Sequence, residues 1–218
     1  MSDMRQYFKA QMELIVSTPE LHARWLNSLS LMENTGARKI SRFEDPVHTN
    51  IIVLKHAAEE ARHAYYLKKQ IAKLHIECPD YSFEYLLAPI QSYQYLRKLD
   101  AAACRYLKDE RGYKGRQMYY GAYLLVTYAI EVRADELYGA YQQALTAAHN
   151  RVNVKSIIAE EEGHLEEMTR MLEGFHPEWQ QMATAVREIE SALFKQWLGA
   201  IKKDIDTVVT DKVTAAYN

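Results

Sequence analysis

The chain has 218 residues, 48% of them hydrophobic, enough for one sizeable core, so a single domain over residues 1–218 is expected. A net charge of −2 and a pI near 6.5 argue against general nucleic-acid binding, and the longest apolar run, Gly121 to Ile130, is too short to cross a membrane. The charged stretch Met1 to Lys9 has no secretory core, and Cys78 and Cys104 form no CxxC pair, which excludes a thiolate zinc ribbon or rubredoxin-type iron site and suits a reducing cytoplasm.

Ser17-Thr18-Pro19-Glu20 predicts a helix start, and that helix should run to about Glu44, where Asp45-Pro46 breaks it. Its apolar stripe reads Leu26, Leu29, Glu33, Ala37, Ile40. A second helix is expected from about His48 to Glu77, ended by Cys78-Pro79-Asp80, with the stripe Val53, His56, Glu60, His63, Leu67, Leu74. The segment Tyr81 to Leu107 reads as helix bent at Pro89, and Lys108 to Gly115 as a charged loop. A third long helix, from about Arg116 to His149, carries Tyr120, Leu124, Thr127, Glu131, Ala134, Tyr138 and Tyr141 on one face. Asn150-Arg151 turns into a fourth, from about Val152 to Glu173, with Val154, Ile157, Glu161, His164, Met168 and Met171 in phase and Gly174 as its cap. A last helix spans about Glu178 to Val209, and no β-pattern of useful length occurs.

Six ionisable residues interrupt these stripes in a repeated order. Glu60-Ala61-Arg62-His63 has Glu33 27 residues upstream of Glu60, and Glu161-Glu162-Gly163-His164 has Glu131 30 residues upstream of Glu161. A charge at a core position is costly unless it is paired or metal-bound. One such motif alone is more often a solvated charge beside a surface histidine. Two copies, each in core phase with an upstream core-phase Glu, fit the arrangement of a dinuclear carboxylate bundle. The flanking carboxylates Glu59, Glu136, Glu160 and Glu162 fall off the stripes and read as surface or outer-sphere charges, with Glu59 and Asp135 as candidates to orient a histidine. His56, one turn before Glu60, is either a seventh ligand or a hydrogen-bonded core histidine.

From Trp25 to Leu172 the chain resembles the ferritin-like di-iron carboxylate superfamily, through Glu33, Glu60-x-x-His63, Glu131 and Glu161-x-x-His164. Ile130-Glu131-Val132-Arg133 and Asp135-Glu136-Leu137-Tyr138 are similar to the third helix of bacterial tRNA hydroxylases, and the short hairpin spacings also look like those of aldehyde-deformylating oxygenases. The resemblance implies an all-α, four-helix bundle of two helical hairpins joined by a long helical crossover, with an extra C-terminal helix. It implies two iron ions, or manganese and iron, with Glu60 and Glu161 bridging and Glu33, His63, Glu131 and His164 terminal.

Mixed carboxylate and imidazole donors suit iron or manganese. Six protein ligands for two metals leave positions open for dioxygen, so the expected activity is an oxygen-activating oxidoreductase on a small or carrier-bound substrate, with an external electron donor or redox partner. Thr127, one turn before Glu131, offers a hydroxyl to an oxygen species at the metals; the bland alternative is a satisfied core hydroxyl. The 16 tyrosines read mainly as aromatic core. Arg97 to Arg116 holds seven Lys/Arg against three Asp/Glu, a solvated face or a dock for an anionic carrier or redox partner. An apolar pocket is expected to run from the metals toward Gly36, Ala37 and the Tyr120–Tyr128 stretch. The competing class is iron handling: a ferroxidase subunit or a peroxide-reducing rubrerythrin relative. The 67 residues between His63 and Glu131 favour the oxygenase, because an added helix can wall a pocket. A monomer or homodimer is expected rather than a cage.

Overall fold

The computed structural model describes residues 2–42, 47 and 50–216. Among these residues the protein is all helical: α1 (Ser2–Ser17), α2 (Pro19–Ser41), α3 (Ile51–Ile71), α4 (Pro89–Asp109), α5 (Gly115–Ala147), α6 (Lys155–Phe175) and α7 (Trp179–Ala216), with short 3-10 turns at Ala72–Leu74 and Phe83–Tyr85 and no strand. The expected break at Asp45-Pro46, with the flanking ends near Glu44 and His48, lies outside the described residues.

Local chemistry sets the helix starts. Thr18 is extended and Pro19 occupies the first turn of α2, where its missing N–H costs nothing. Asn50 Oδ1 accepts the Ile52 amide at the start of α3. Pro89 begins α4 rather than bending it, because Ala88 adopts a left-handed conformation (φ 44°) that no helix interior holds. That conformation is fixed from both sides: the Ala88 amide donates to Asp204 Oδ2 at 2.7 Å, and the Leu87 amide donates to Ser28 Oγ at 2.8 Å. Gly174 lies inside α6, which runs on to Phe175 because that ring stacks on Tyr113 and meets Tyr120 edge-on. The N-terminal helix α1, absent from the sequence expectation, buries Met12, Ile15 and Val16 against the bundle.

Helices α2 and α3 pack along their length as one hairpin, and α5 and α6 as a second; α4 connects them and packs on α5 and α7. Two apolar cores result. One gathers Leu21–Leu29, Leu67 and Ile71, Leu137–Leu145, Val154 and Ile157, and Trp197; the other gathers Ile40, Val53 and Ala57, Leu99–Leu107, Ala122–Ala129, Met168 and Leu172, and Met182–Val186. On each of α2, α3, α5 and α6 the residues between the two cores are the predicted Glu and His positions.

Candidate metal centre

All six predicted residues converge in that gap. Glu60, His63, Glu131, Glu161 and His164 are buried, and Glu33 is half-buried. Their donor atoms form two overlapping groups, Glu33, Glu60, His63 and Glu161, and Glu60, Glu131, Glu161 and His164, with the atoms of each group all within 4.8 Å of one another. Glu60 and Glu161 belong to both groups. Each group holds three carboxylates and one imidazole, and each could hold a metal ion.

The histidines are oriented across the hairpins. His63 on α3 meets Glu160 on α6 through Nε2 at 2.8 Å, while His164 on α6 meets Glu59 on α3 through Nε2 at 2.7 Å. Each supporting glutamate directly precedes the Glu of its own helix's motif, so the repeated unit is Glu-Glu-x-x-His. With Nε2 so tied, Nδ1 faces inward: His63 Nδ1 lies 3.2 Å from Glu161 Oε1, and His164 Nδ1 lies 3.2 Å from Glu161 Oε2 and 3.6 Å from Glu131 Oε2. Arg62 anchors Glu160 at 2.5 Å. Glu59 and Glu160 therefore hold histidines, as only a long side chain reaching across the hairpin interface can. Tyr138 donates a hydrogen bond to Glu33 Oε1.

His56 is placed otherwise. Its Nε2 pairs with Glu167 Oε2 at 2.7 Å and its ring lies 4.5 Å from that of His164, but it joins neither donor group. Among the flanking acids, Glu136 pairs with Arg133 on the surface, and Asp135 and Glu162 line an acidic groove with Glu166 and Glu173 that reaches Glu161.

Comparison with known proteins returns no match among family models, curated proteins or solved structures.

The electrostatics are those of a site whose positive charge must come from somewhere. Burial, then repulsion by Glu33 and Glu161, raises the Glu60 carboxyl well above its usual range; burial and the Glu161 charge do the same to Glu131. Burial would also raise Glu161, but contacts with Glu131, His164 and His63 outweigh it and hold Glu161 low. Burial opposes the charged form of His164, yet Glu131 and Glu161 push its pKa up to about 11; Glu161 and Glu33 raise His63 in the same way. Crowded buried carboxyls raised in this way are groups that a bound cation would let ionise, so the donor set fits a metal. His63 Nδ1 fits this reading as a buried nitrogen with no well-aligned hydrogen bond. At Gly36 a Cβ would sit 3.4 Å from Glu60 Oε2, an ordinary contact, so α2 passes close beside that carboxylate.

A cavity of about 80 Å³ opens on Glu33, Glu60 and Glu131, several times the space that a buried water needs. Thr127, buried on α5, lines it beside Glu131, as do Gly36 and Val126. Of the expected lining, Gly36 and, from the Tyr120–Tyr128 stretch, Val126 and Thr127 face the cavity, while Ala37 and the aromatics of that stretch do not. The cavity turns instead toward Tyr95 and Leu96 of α4 and Phe194 of α7, because Tyr123 is packed into the second core and Tyr120 stands at the surface against Phe175. Its outer wall is fixed by a buried ion pair that the sequence reading overlooked: Arg133 grips Glu190 through Nε and Nη2, each at 2.8 Å, Tyr95 donates to the same carboxylate, and the guanidinium lies 4.1 Å over the Phe194 ring.

Proposed function

We propose that this chain is a ferritin-like di-iron, or manganese and iron, carboxylate oxidoreductase that uses dioxygen to oxidise a small or carrier-bound organic substrate. The observation that carries the reading is the sharing of Glu60 and Glu161 between two four-donor groups, each completed by one terminal carboxylate and one imidazole. Glu60 and Glu161 would bridge, Glu33 and His63 would complete one half, and Glu131 and His164 the other. When bound, a redox-active metal pair supplies the electrons that reduce dioxygen, with an external donor restoring them.

The chain's own residues do the rest. Glu59 and Glu160 engage Nε2 of the two histidines, so each imidazole offers Nδ1 to the centre in a fixed orientation. Tyr138 holds Glu33 in place. The apolar cavity wall gives a substrate carbon a place beside the carboxylates, and α4, the crossover, supplies part of that wall. Thr127 lines the same space and would offer its hydroxyl there. Iron handling is the second reading, supported by the acidic groove that reaches Glu161 from the surface.

Anaerobic reconstitution with ferrous iron followed by oxygen pulses separates the two. Two irons per chain and oxygen consumption that saturates support the oxidoreductase. Continued uptake of iron far beyond two per chain would move the assignment to storage, and failure to retain any divalent metal would remove both.

A further inference from the structure

Lys39 is a charged residue that the metal centre does not use. It stands in the last turn of α2, where a cation suits the carbonyl end of the helix, yet its ammonium is turned inward. Nζ is buried, and the side chain lines the cavity together with Gly36 and Glu33 of the same helix. Asp100 Oδ1 on α4 lies 2.7 Å away, and Nζ makes no hydrogen bond to any other group. An ammonium carries three N–H donors, and a single carboxylate oxygen cannot occupy them all. Buried donors without acceptors are rare in folded proteins and mark a place where an acceptor belongs. Burial also holds the Lys39 pKa below its ordinary value, only partly offset by Asp100, which itself stands partly in water. The charge on Lys39 is under-compensated. The other cation on the cavity wall is not in this state, since the Arg133 guanidinium is committed to Glu190, Ser191 and Glu136.

We propose that the cavity binds a small apolar monocarboxylate, its head group on Lys39 Nζ once that ammonium turns from Asp100 into the cavity, and its hydrocarbon end toward the Glu33, Glu60 and Glu131 side. This rests on the reading of the cavity as a substrate site. An anion supplies both the missing acceptor and the missing charge, and Leu29, Ile40, Leu96, Val126 and Ile130 form walls that favour hydrocarbon. Orientation follows from Lys39: the head group takes the acceptor position on its ammonium, so the tail is the part that meets the centre. The oxidised position would then be a carbon remote from the acid group.

Calorimetric titration of the full chain, metal-free and loaded with Mn(II), with butanoate, hexanoate, octanoate and hexanamide tests this. Hexanoate should bind both forms, and hexanamide at least roughly tenfold more weakly, the worth of one charge-assisted hydrogen bond. Lys39→Met should bring hexanoate down to the level of hexanamide and leave hexanamide unchanged, while Lys39→Arg keeps part of the preference. The Met variant removes a buried charge and leaves Asp100 in contact with water, so it should melt no lower than the parent. Equal binding of acid and amide, a Lys39→Met variant that still prefers the acid, or no binding of any probe would overturn the assignment. So would hexanoate binding that needs Mn(II) and ignores Lys39→Met, which would place the carboxylate on the metal. Manganese content of the same samples reports on the metal centre separately, so either reading can fail alone.

Discussion

If protons compete with metal ions for the Glu/His cluster, metal-free and metal-loaded protein should respond differently to alkali. The perturbation is pH, raised from 6.5 to about 9. His164 has a folded pKa of about 11 against an ordinary 6.5. Its proton is thus bound more tightly in the folded chain, and the stability this contributes is fully present below pH 6.5 and lost as pH rises through 11. Each pH unit in that window costs about 1.4 kcal/mol for one retained proton, so the rise to pH 9 removes about 3 kcal/mol. Glu60 and Glu131, whose carboxyls are also raised, and His63 act with the same sign. For a chain of this size the melting temperature of metal-free protein should fall by roughly 6–12 °C. Metal binding needs deprotonated ligands, so the stabilisation by Mn(II) or Fe(II) should grow over the same interval. Differential scanning calorimetry at matched ionic strength, with and without metal, reads both. A metal-free protein as stable at pH 9 as at 6.5, or a metal-induced shift that does not change with pH, would refute the idea that protons and cations compete for this cluster.

Other outcomes are expected from single substitutions. Glu60→Ala or Glu161→Ala should reduce bound metal below two per chain, whereas His56→Ala should not, because its Nε2 serves Glu167; elemental analysis of purified variants decides. His22, buried with its Nε2 2.5 Å from Tyr141 Oη, has its pKa lowered by burial to about 4. The unfolded chain therefore takes up the proton first as pH falls below 6.5, stability drops toward pH 4, and His22→Gln should lessen the loss at pH 5 by about 2 kcal/mol in denaturant titrations. Gly121→Ala would place a Cβ 2.7 Å from Phe175 Cζ and 3.2 Å from Leu107 Cδ1, and should cost about 1–3 kcal/mol by overpacking where α5 meets α6, measured by chemical unfolding.

The four site helices and all six clustered residues were legible in the sequence because a glutamate at a core position breaks an apolar stripe. The same rule also flags what is not a metal site: Glu190 interrupts Met182, Val186, Phe194, Trp197 and Ile201 on α7 in the same manner, and there the partner is Arg133. A stripe reveals a buried charge but not its counter-charge. Glu59 and Glu160 were hard to assign for the opposite reason. They lie off the stripes, and only the approach of α3 and α6 shows that each reaches a histidine of the other hairpin. Pro89 was misread because the left-handed turn at Ala88 depends on Ser28 and Asp204, 59 and 116 residues away along the chain from their bonding partners. The spacing Phe8, Met12, Ile15, Val16 carried the signal for α1, hidden by the polar residues around it.

The division of the interior into two apolar cores bears on how the molecule holds together. A continuous core transmits a local loosening everywhere; here α2, α3, α5 and α6 each pass through a layer of carboxyl and imidazole groups between the two halves. Ile130 and Leu193 pack against both cores, and Glu59 and Glu160 tie the hairpins together within the layer. A bound metal pair would rivet them into one cooperative body. In this fold occupancy of the Glu/His cluster would also decide how tightly the two halves unfold together.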